Sequence, residues 1–454
     1  MATIFTARWV LPVTSPPIKD GAIAVSGDRI SAIGALSEVR SRFRDAVVKD
    51  LGEAALLPGL INVHSHLELT ALRGRLEEPR FQTWVAQLIR LKGERLTRDD
   101  LLASARLGCI EAIRAGITTL ADTSDASAPL EALIESGQRG VIFQECFGPR
   151  AEQAAGSLAD LRKKIETYAQ RLEVAGTRAQ ARLRLGISPH APYSVSAQLY
   201  EGITEFALAR HLDVCIHAAE SQDEASLLRD GTGAFAAALR QRGITWEPPG
   251  CSTVKYLHRL GALATAPLLI HCVTVDEEDL ELMAAQGVRV AHCPKSNAKL
   301  GHGIAPLTEW RRAGVRVGLG TDSVASNNTL DLVEEARFCA LLHRARQRDA
   351  TLLTSHELLR LMTIEGARAL GLEAETGSLE VRKQADLIAI DLAQSHNTPH
   401  YDPEAAVVFS CSARDVILTV AAGSVLYEGG RVTAFDERAV REQVRATQAK
   451  LAPT

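Results

Sequence analysis

No apolar stretch in this chain of 454 residues approaches the roughly 20 residues that cross a bilayer, so no membrane helix is expected. There is no surplus of basic charge. The formal net charge is −4, which argues against nucleic acid as a partner. The start, Met1 to Arg8, lacks a basic segment followed by an apolar one, so no signal peptide is read there. None of the eight cysteines forms a C-x-x-C pair. Scattered as they are, they read as small buried thiols of a reducing compartment. Cys272 and Cys293 each directly follow a histidine at a strand end, and a neighbour in a strand points to the opposite face, so no metal role is read for them, nor for Cys215. Low-complexity segments are absent as well. What remains is an ordinary globular composition, 46% hydrophobic and 23% charged, in a chain long enough for a large core and more than one domain. A soluble, cytoplasmic protein is expected.

Four short apolar runs end in residues that bind metals or handle protons. Val63-His64-Ser65-His66 closes the first, and His217 closes Val214-Cys215-Ile216, with Glu220 three residues on. His271 follows Leu268-Leu269-Ile270, and Asp322 follows Val317-Gly318-Leu319-Gly320-Thr321. One His-x-His pair is a weak signal. The ordered set describes one site assembled from the ends of several strands, as in a parallel barrel.

Between Ala55 and Ser323, strand-like runs end near His66, Thr123, Phe147, His190, His217, Thr274, Asn297 and Asp322. Helical spacing separates them, as in 101–115, 161–175, 280–287 and 308–314. Eight strand–helix alternations over about 270 residues predict an α/β fold, a (β/α)8 TIM barrel. The ends differ. Gly21 to Gly34 reads as a hairpin around Gly27-Asp28, and short strands recur from about 377. The expected organisation is a composite β-sandwich domain from residues 1–54 and 377–454, closed by a helix over 437–454, beside a barrel over 55–376.

His64 and His66 leave one face of a strand and can grip one ion where that strand opens to a pocket. Imidazole suits zinc, and also iron, nickel or copper. His217 and Asp322 complete four ligands, although a turn or helix-cap aspartate is the ordinary alternative for Asp322. A bound divalent ion lowers the pKa of its water from about 15.7 toward about 7, which makes hydroxide available at neutral pH.

These motifs resemble the metal-dependent amidohydrolase superfamily along essentially the whole chain. Pro58 to His66 looks like its first-strand motif and His217-Ala218-Ala219-Glu220 its fifth. His271 matches the sixth-strand histidine, His292-Cys293-Pro294-Lys295-Ser296-Asn297 the seventh-strand loop, and Leu319 to Ser323 the eighth. The resemblance implies a metal on His64, His66, His217 and Asp322. Two-metal members commonly use a carbamylated lysine on the fourth strand, but here that strand, Leu183 to His190, has none. One divalent ion is therefore expected, zinc first and iron second. By resemblance to the deaminase branch, Glu220 protonates the ring nitrogen of an amidine-like substrate. His271 and Asp322 deprotonate the water, and ammonia leaves.

Within the superfamily the chain is most similar to the branch of S-adenosylhomocysteine and methylthioadenosine deaminases, guanine deaminases and triazine hydrolases. Ser188 to Ser196 resembles the fourth-strand motif of adenosine-type deaminases and places His190 on ribose or purine. The segment Phe81 to Thr97 departs from the homocysteine-type loop: a proline is missing and Glu94 is out of register. His64-Ser65-His66-Leu67-Glu68 is similar instead to aminodeoxyfutalosine deaminases. That implies Glu68 on ribose and Arg150 or Arg73 on a carboxylate tail, with Trp84 as a stack or lid. Ser296 and Asn297 are expected near the metal on the substrate side. His292 and His302 stay unassigned. The alternatives keep the site and change the leaving group, as in nucleobase deamination, triazine or cyclic amide hydrolysis, or else reduce the barrel to a non-catalytic scaffold. A small-molecule substrate and a homodimer are expected.

Overall fold

The computed structural model describes residues 2–77 and 80–452. Eight parallel strands run in sequence order: β1 (Leu60–Ser65), β2 (Ile117–Ser124), β3 (Arg139–Cys146), β4 (Leu183–Pro189), β5 (Asp213–Ala218), β6 (Leu268–His271), β7 (Arg289–His292) and β8 (Arg316–Leu319). Every residue of β2 and β3 is buried, because helices cover the outside while side chains fill the inside. The barrel closes at its C-terminal rim, where Ser65 bridges Asp322 in parallel and the Asp322 amide donates to the His64 carbonyl at 3.0 Å. Gly320 permits that approach, since a Cβ there would lie 2.9 Å from the His64 Cβ.

The last three barrel strands end earlier than their apolar runs suggest. His271 and Cys272 have φ of +73° and +47°, which breaks the pleat after β6. Pro294 opens the helix Pro294–Lys299, so β7 stops at His292 rather than near Asn297. Proline suits a helix start because its missing N–H would have no partner there.

The termini build one nine-stranded mixed sheet. Ile18–Ser26 and Arg29–Ala35 form the expected hairpin, with Ser26 opposite Arg29. Leu387–Asp391 pairs antiparallel with Ala54–Pro58 and so joins the two ends of the chain. The expected division at 54/55 falls inside that strand: the terminal sheet runs to Pro58, and the chain crosses to the barrel at Gly59. Ile23 and Ile30 share one apolar cluster with Leu418 and Val420, strands well separated in the sheet order, so the sheet curls on itself. Gly423 marks the contact, because a Cβ there would meet the Gly27 carbonyl at 2.0 Å.

Arg139 at the start of β3 ties the barrel to this sheet. Its Nε donates to Asp386 Oδ2 at 2.9 Å, and the two side chains are 4% and 0% exposed. The final helix, Glu437–Leu451, packs on the barrel helix Arg98–Arg114 rather than on the sheet. Thr447 Oγ1 and Lys450 Nζ both donate to Asp100 Oδ1, at 2.8 and 2.7 Å. No helix among the described residues is long and apolar enough to cross a membrane. All eight cysteines are free thiols, seven of them buried.

Candidate metal centre and active site

Strand ends bring the sequence-singled residues together. His64 lies on β1, and His66 follows that strand as its neighbour on the same side. Their rings meet edge to face with centroids 4.8 Å apart, and the His217 ring on β5 lies 5.0 Å from His64 and 5.5 Å from His66. One nitrogen from each of His64, His66 and His217 falls within 4.8 Å of the others, and so do ligand atoms of His64, His271 and Asp322. Asp322 Oδ1 sits 3.2 Å from His64 Nε2 and 3.5 Å from His66 Nε2.

The donors suit a cation. The His217 Nδ1 proton goes to the His190 carbonyl at 3.2 Å, because a carbonyl can only accept, and Nε2 keeps its lone pair for the site. Burial, helped by His64, lowers His66 to about 3. Burial and the neighbouring histidines hold His217 well below its ordinary value, and burial also lowers His271. These imidazoles are neutral at pH 7. Burial pushes Asp322 up, but His64, then His271 and His66, hold it well below the usual carboxylate range. His64 Nε2 is buried and makes no hydrogen bond. Neutral imidazoles, one ionised carboxylate and an orphaned ring nitrogen facing them match the ligand chemistry of zinc or iron.

The backbone around these groups is strained. Ala219, His271, Cys272 and Asp322 all have φ between +47° and +73°. Left-handed conformations of non-glycine residues cost on the order of 1–3 kcal/mol each and persist only where the surroundings enforce them. Here the Ala219 and Glu220 amides donate to the Glu224 carboxylate at 2.8 and 3.1 Å, and Thr253 Oγ1 donates to it at 2.7 Å. The Cys272 amide donates to the Ala218 carbonyl at 3.0 Å.

Glu220 is buried between two imidazoles. Its Oε1 lies 3.5 Å from His271 Nε2 and 3.2 Å from His302 Nε2. Burial raises its pKa, but His271 and His302 outweigh burial and leave it lowered. His271 Nδ1 donates to Asn297 Oδ1 at 2.8 Å, so its Nε2 faces Glu220 with a lone pair. His190 leans toward His217, with centroids 4.9 Å apart. Its Nδ1 pairs with Ser194 Oγ at 2.8 Å, and burial lowers it to about 4. Glu68 is 1% exposed and ion-paired to Lys92, which also holds Asp125. Burial pushes Glu68 up to about 7 against the pull of Lys92. Its second oxygen, Oε2, is buried without a partner.

Several expected substrate contacts fall elsewhere. Arg150 gives its guanidinium to the carbonyls of Arg242 and Gly243, at the end of the helix Gly233–Gln241. Arg73 pairs with Glu111 in a groove lined also by Arg114 and Arg441. Each of these cations is committed to a partner of its own. Ser296 and Asn297 are spent behind the site: Ser296 Oγ donates to Asp322 Oδ2 at 2.5 Å and Asn297 holds His271. They orient Asp322 and His271 and leave no free polar atom forward except the Asn297 amide nitrogen, which is buried without a partner. Trp84 joins Leu69, Leu72, Phe81, Tyr193 and Phe235 in one apolar cluster, and Phe81 meets the His302 ring edge to face at 4.4 Å.

Four residues carried no role in the sequence reading. His302 matches no motif, although Gly301-His302-Gly303 is a flexible frame for an inward-turning side chain. Glu224 and Lys92 gave no signal, because a charge on a helix reads as a solvated face. Asn62, inside the first-strand motif, accepts from the Thr321 amide at 3.0 Å and donates to Thr321 Oγ1 at 2.7 Å, clipping β1 to β8 beneath the metal ligands.

A parallel eight-stranded barrel with histidines and an aspartate at its C-terminal rim defines a class of metal-site barrels. The chain belongs to the amidohydrolase family, whose model matches residues 55–426. It is 32% identical over 436 residues, 96% of both chains, to the 5-methylthioadenosine/S-adenosylhomocysteine deaminase of Moorella thermoacetica. Among solved structures it resembles an adenosine deaminase from Xanthomonas campestris with bound zinc, at 26% identity and a TM-score of 0.84, covering 99% of this chain and 98% of that one. The aminofutalosine deaminase of Helicobacter pylori, solved with methylthio-coformycin, shares the fold at 20% identity and a TM-score of 0.78, over 93% and 99% of the two chains.

Proposed function

We propose that this protein is a hydrolytic deaminase of an adenine-type nucleoside that works with one divalent ion, zinc in first place. The carrying observation is Glu220 held between His271 and His302, next to His64, His66, His217 and Asp322. Its relatives, named as deaminases of methylthioadenosine, S-adenosylhomocysteine and adenosine, support the same reading. When bound on those four ligands, the ion supplies Lewis acidity that makes a water nucleophilic near pH 7.

The chain's own groups do the rest. Water adds to C6 of the purine, its oxygen bonding the carbon. His271 Nε2 and Asp322 take the proton that the water loses. Glu220 is ionised in the free enzyme, so it must acquire its proton within the cycle, and His271 Nε2, 3.5 Å away, is the neighbour that passes it. Glu220 then delivers that proton to the adjacent ring nitrogen. The adduct's hydroxyl proton then passes through Asp322 or Glu220 to the 6-amino group, the C6–N bond breaks, and ammonia leaves a 6-oxopurine. His302 steadies the Glu220 charge between turnovers. The unpartnered Glu68 Oε2 is proposed to accept from a ribose hydroxyl, with His190 beside the base. Arg150 and Arg73, the two cations expected to meet a carboxylate tail, are both engaged by other partners. The substrate expected first is therefore methylthioadenosine, whose tail carries no carboxylate, ahead of S-adenosylhomocysteine and aminodeoxyfutalosine, whose tails do.

The test is ammonia release by zinc-loaded enzyme over adenosine, S-adenosylhomocysteine, methylthioadenosine, aminodeoxyfutalosine, guanine and triazines, with loss of adenine absorbance as a second reading. Turnover of the adenine nucleosides supports the proposal. A response confined to guanine or triazines sinks it. Glu220→Gln removes the proton carrier and is expected to cut kcat by about 10²–10⁴-fold while zinc content holds. We also infer a homodimer from the family resemblance, and a monomer mass by sedimentation would refute that.

A further inference from the structure

A second cluster of metal-binding side chains lies outside the catalytic set. His292 ends β7. Cys339 and His343 lie four residues apart on the helix Leu332–Gln347 and therefore share one face. One ligand atom from each of the three falls within 4.8 Å of the others. Their exposures are 1%, 0% and 1%. The His292 ring lies 5.8 Å from that of His343 and 5.5 Å from that of Trp310, on the helix Leu307–Arg312.

None of the polar atoms gathered there is satisfied. Both ring nitrogens of His292, both of His343 and the indole nitrogen of Trp310 are buried without a hydrogen-bond partner. An unsatisfied buried polar atom costs about 1–3 kcal/mol, and folded proteins rarely keep more than a few. Four of the five belong to the two imidazoles, and an occupant that takes one lone pair from each ring would satisfy two of them. A water could join up to four of them. It would not need the thiol, which is a poor hydrogen-bonding group. Two imidazoles and a thiol converging from a strand end and one helix face are instead the donor set of a soft or borderline cation.

We propose that His292, Cys339 and His343 form a buried three-ligand site for a second metal ion, zinc in first place with water in the fourth position, separate from the catalytic centre. On binding, the Cys339 S–H bond gives way to a sulfur–metal bond and its proton passes to solvent. Each imidazole lends one lone pair and keeps its other nitrogen protonated. Ligand atoms around a tetrahedral zinc lie about 3.3–3.8 Å apart, so the cluster contracts by up to about 1.5 Å. The site backs directly onto the helix Pro294–Lys299, whose Ser296 and Asn297 hold Asp322 and His271. It would brace the catalytic loop from behind. This assignment does not depend on the deaminase reading.

The deciding probe is cobalt(II), because the proposed catalytic ligands include no sulfur. Full-length protein is stripped with chelator, recharged with excess cobalt(II) and desalted. A thiolate-to-cobalt charge-transfer band in the near ultraviolet is expected in wild type and in His66→Gln, and is expected to vanish in Cys339→Ala. Absence of the band, or its survival in Cys339→Ala, overturns the proposal and leaves a water-filled pocket. Zinc-edge X-ray absorption of the unmodified protein gives an independent reading should Cys339→Ala fail to fold. A sulfur neighbour at about 2.3 Å supports the site, and nitrogen and oxygen neighbours alone refute it.

Discussion

Replacing Asn297 with alanine removes the acceptor that holds the His271 Nδ1 proton. That hydrogen bond is 2.8 Å long and buried, and its acceptor has no substitute among the neighbouring side chains named above. Two outcomes are open to the imidazole. It can keep its proton on Nδ1 and bury an unpaired N–H, at a cost of about 1–3 kcal/mol. Or it can move the proton to Nε2, which faces Glu220, and so lose the lone pair that takes the proton from water. Either way the productive tautomer becomes the less stable one by about that energy. With a factor of ten for each 1.4 kcal/mol, kcat should fall about 5- to 150-fold. Groups that orient a site's histidines commonly carry effects of about 10–100-fold. The assay is ammonia release from whichever adenine nucleoside wild type turns over, with zinc content measured in parallel. KM should change little, since Asn297 lies behind His271. Activity within about twofold of wild type at equal zinc content would refute the assigned tautomer.

Ser296→Ala leaves Asp322 Oδ2 with only Ser326 Oγ, at 2.8 Å, and should weaken zinc affinity about 10–100-fold in a chelator competition; unchanged affinity would contradict the orienting role. Asp386→Ala strands the buried Arg139 guanidinium and is expected to destabilise the fold by about 3–5 kcal/mol in urea melts, whereas a loss below about 1 kcal/mol would mean the pair is not what joins barrel and sheet. Glu335 is fully buried, and burial pushes it up to about 8 against the pull of Lys295 and Asn327. Between its ordinary 4.5 and about 8 the folded protein keeps a proton that the unfolded chain has released, so this group's contribution to stability falls as pH rises through that window. Glu335→Gln should flatten that decline, read as denaturant midpoints at about pH 5 and about pH 8; parallel slopes for both proteins would disprove it.

The barrel was legible because its strands are buried on both faces and read as plain apolar runs, and because a parallel barrel must place functional residues after them. His64, His66, His217, Glu220, His271 and Asp322 could be found for that reason: each follows or closes such a run. The hairpin around Gly27-Asp28 was readable from turn chemistry alone. Strand ends were harder, since the left-handed residues at His271 and Cys272 are enforced by contacts distant in sequence. Arg150 looked like a tail-binding cation because a sequence shows a charge and not its partner. Only packing commits it to the carbonyls of Arg242 and Gly243. His302, Lys92 and Glu224 were missed for the converse reason. They lie on loops and helices whose orientation is set by neighbours brought in by the fold. Local pattern therefore determined the elements, their order and the candidate ligands on them. The tertiary structure decided which charges pair, which imidazole nitrogen keeps its lone pair and which polar atoms are left buried and unsatisfied, because those depend on distances that periodicity does not encode.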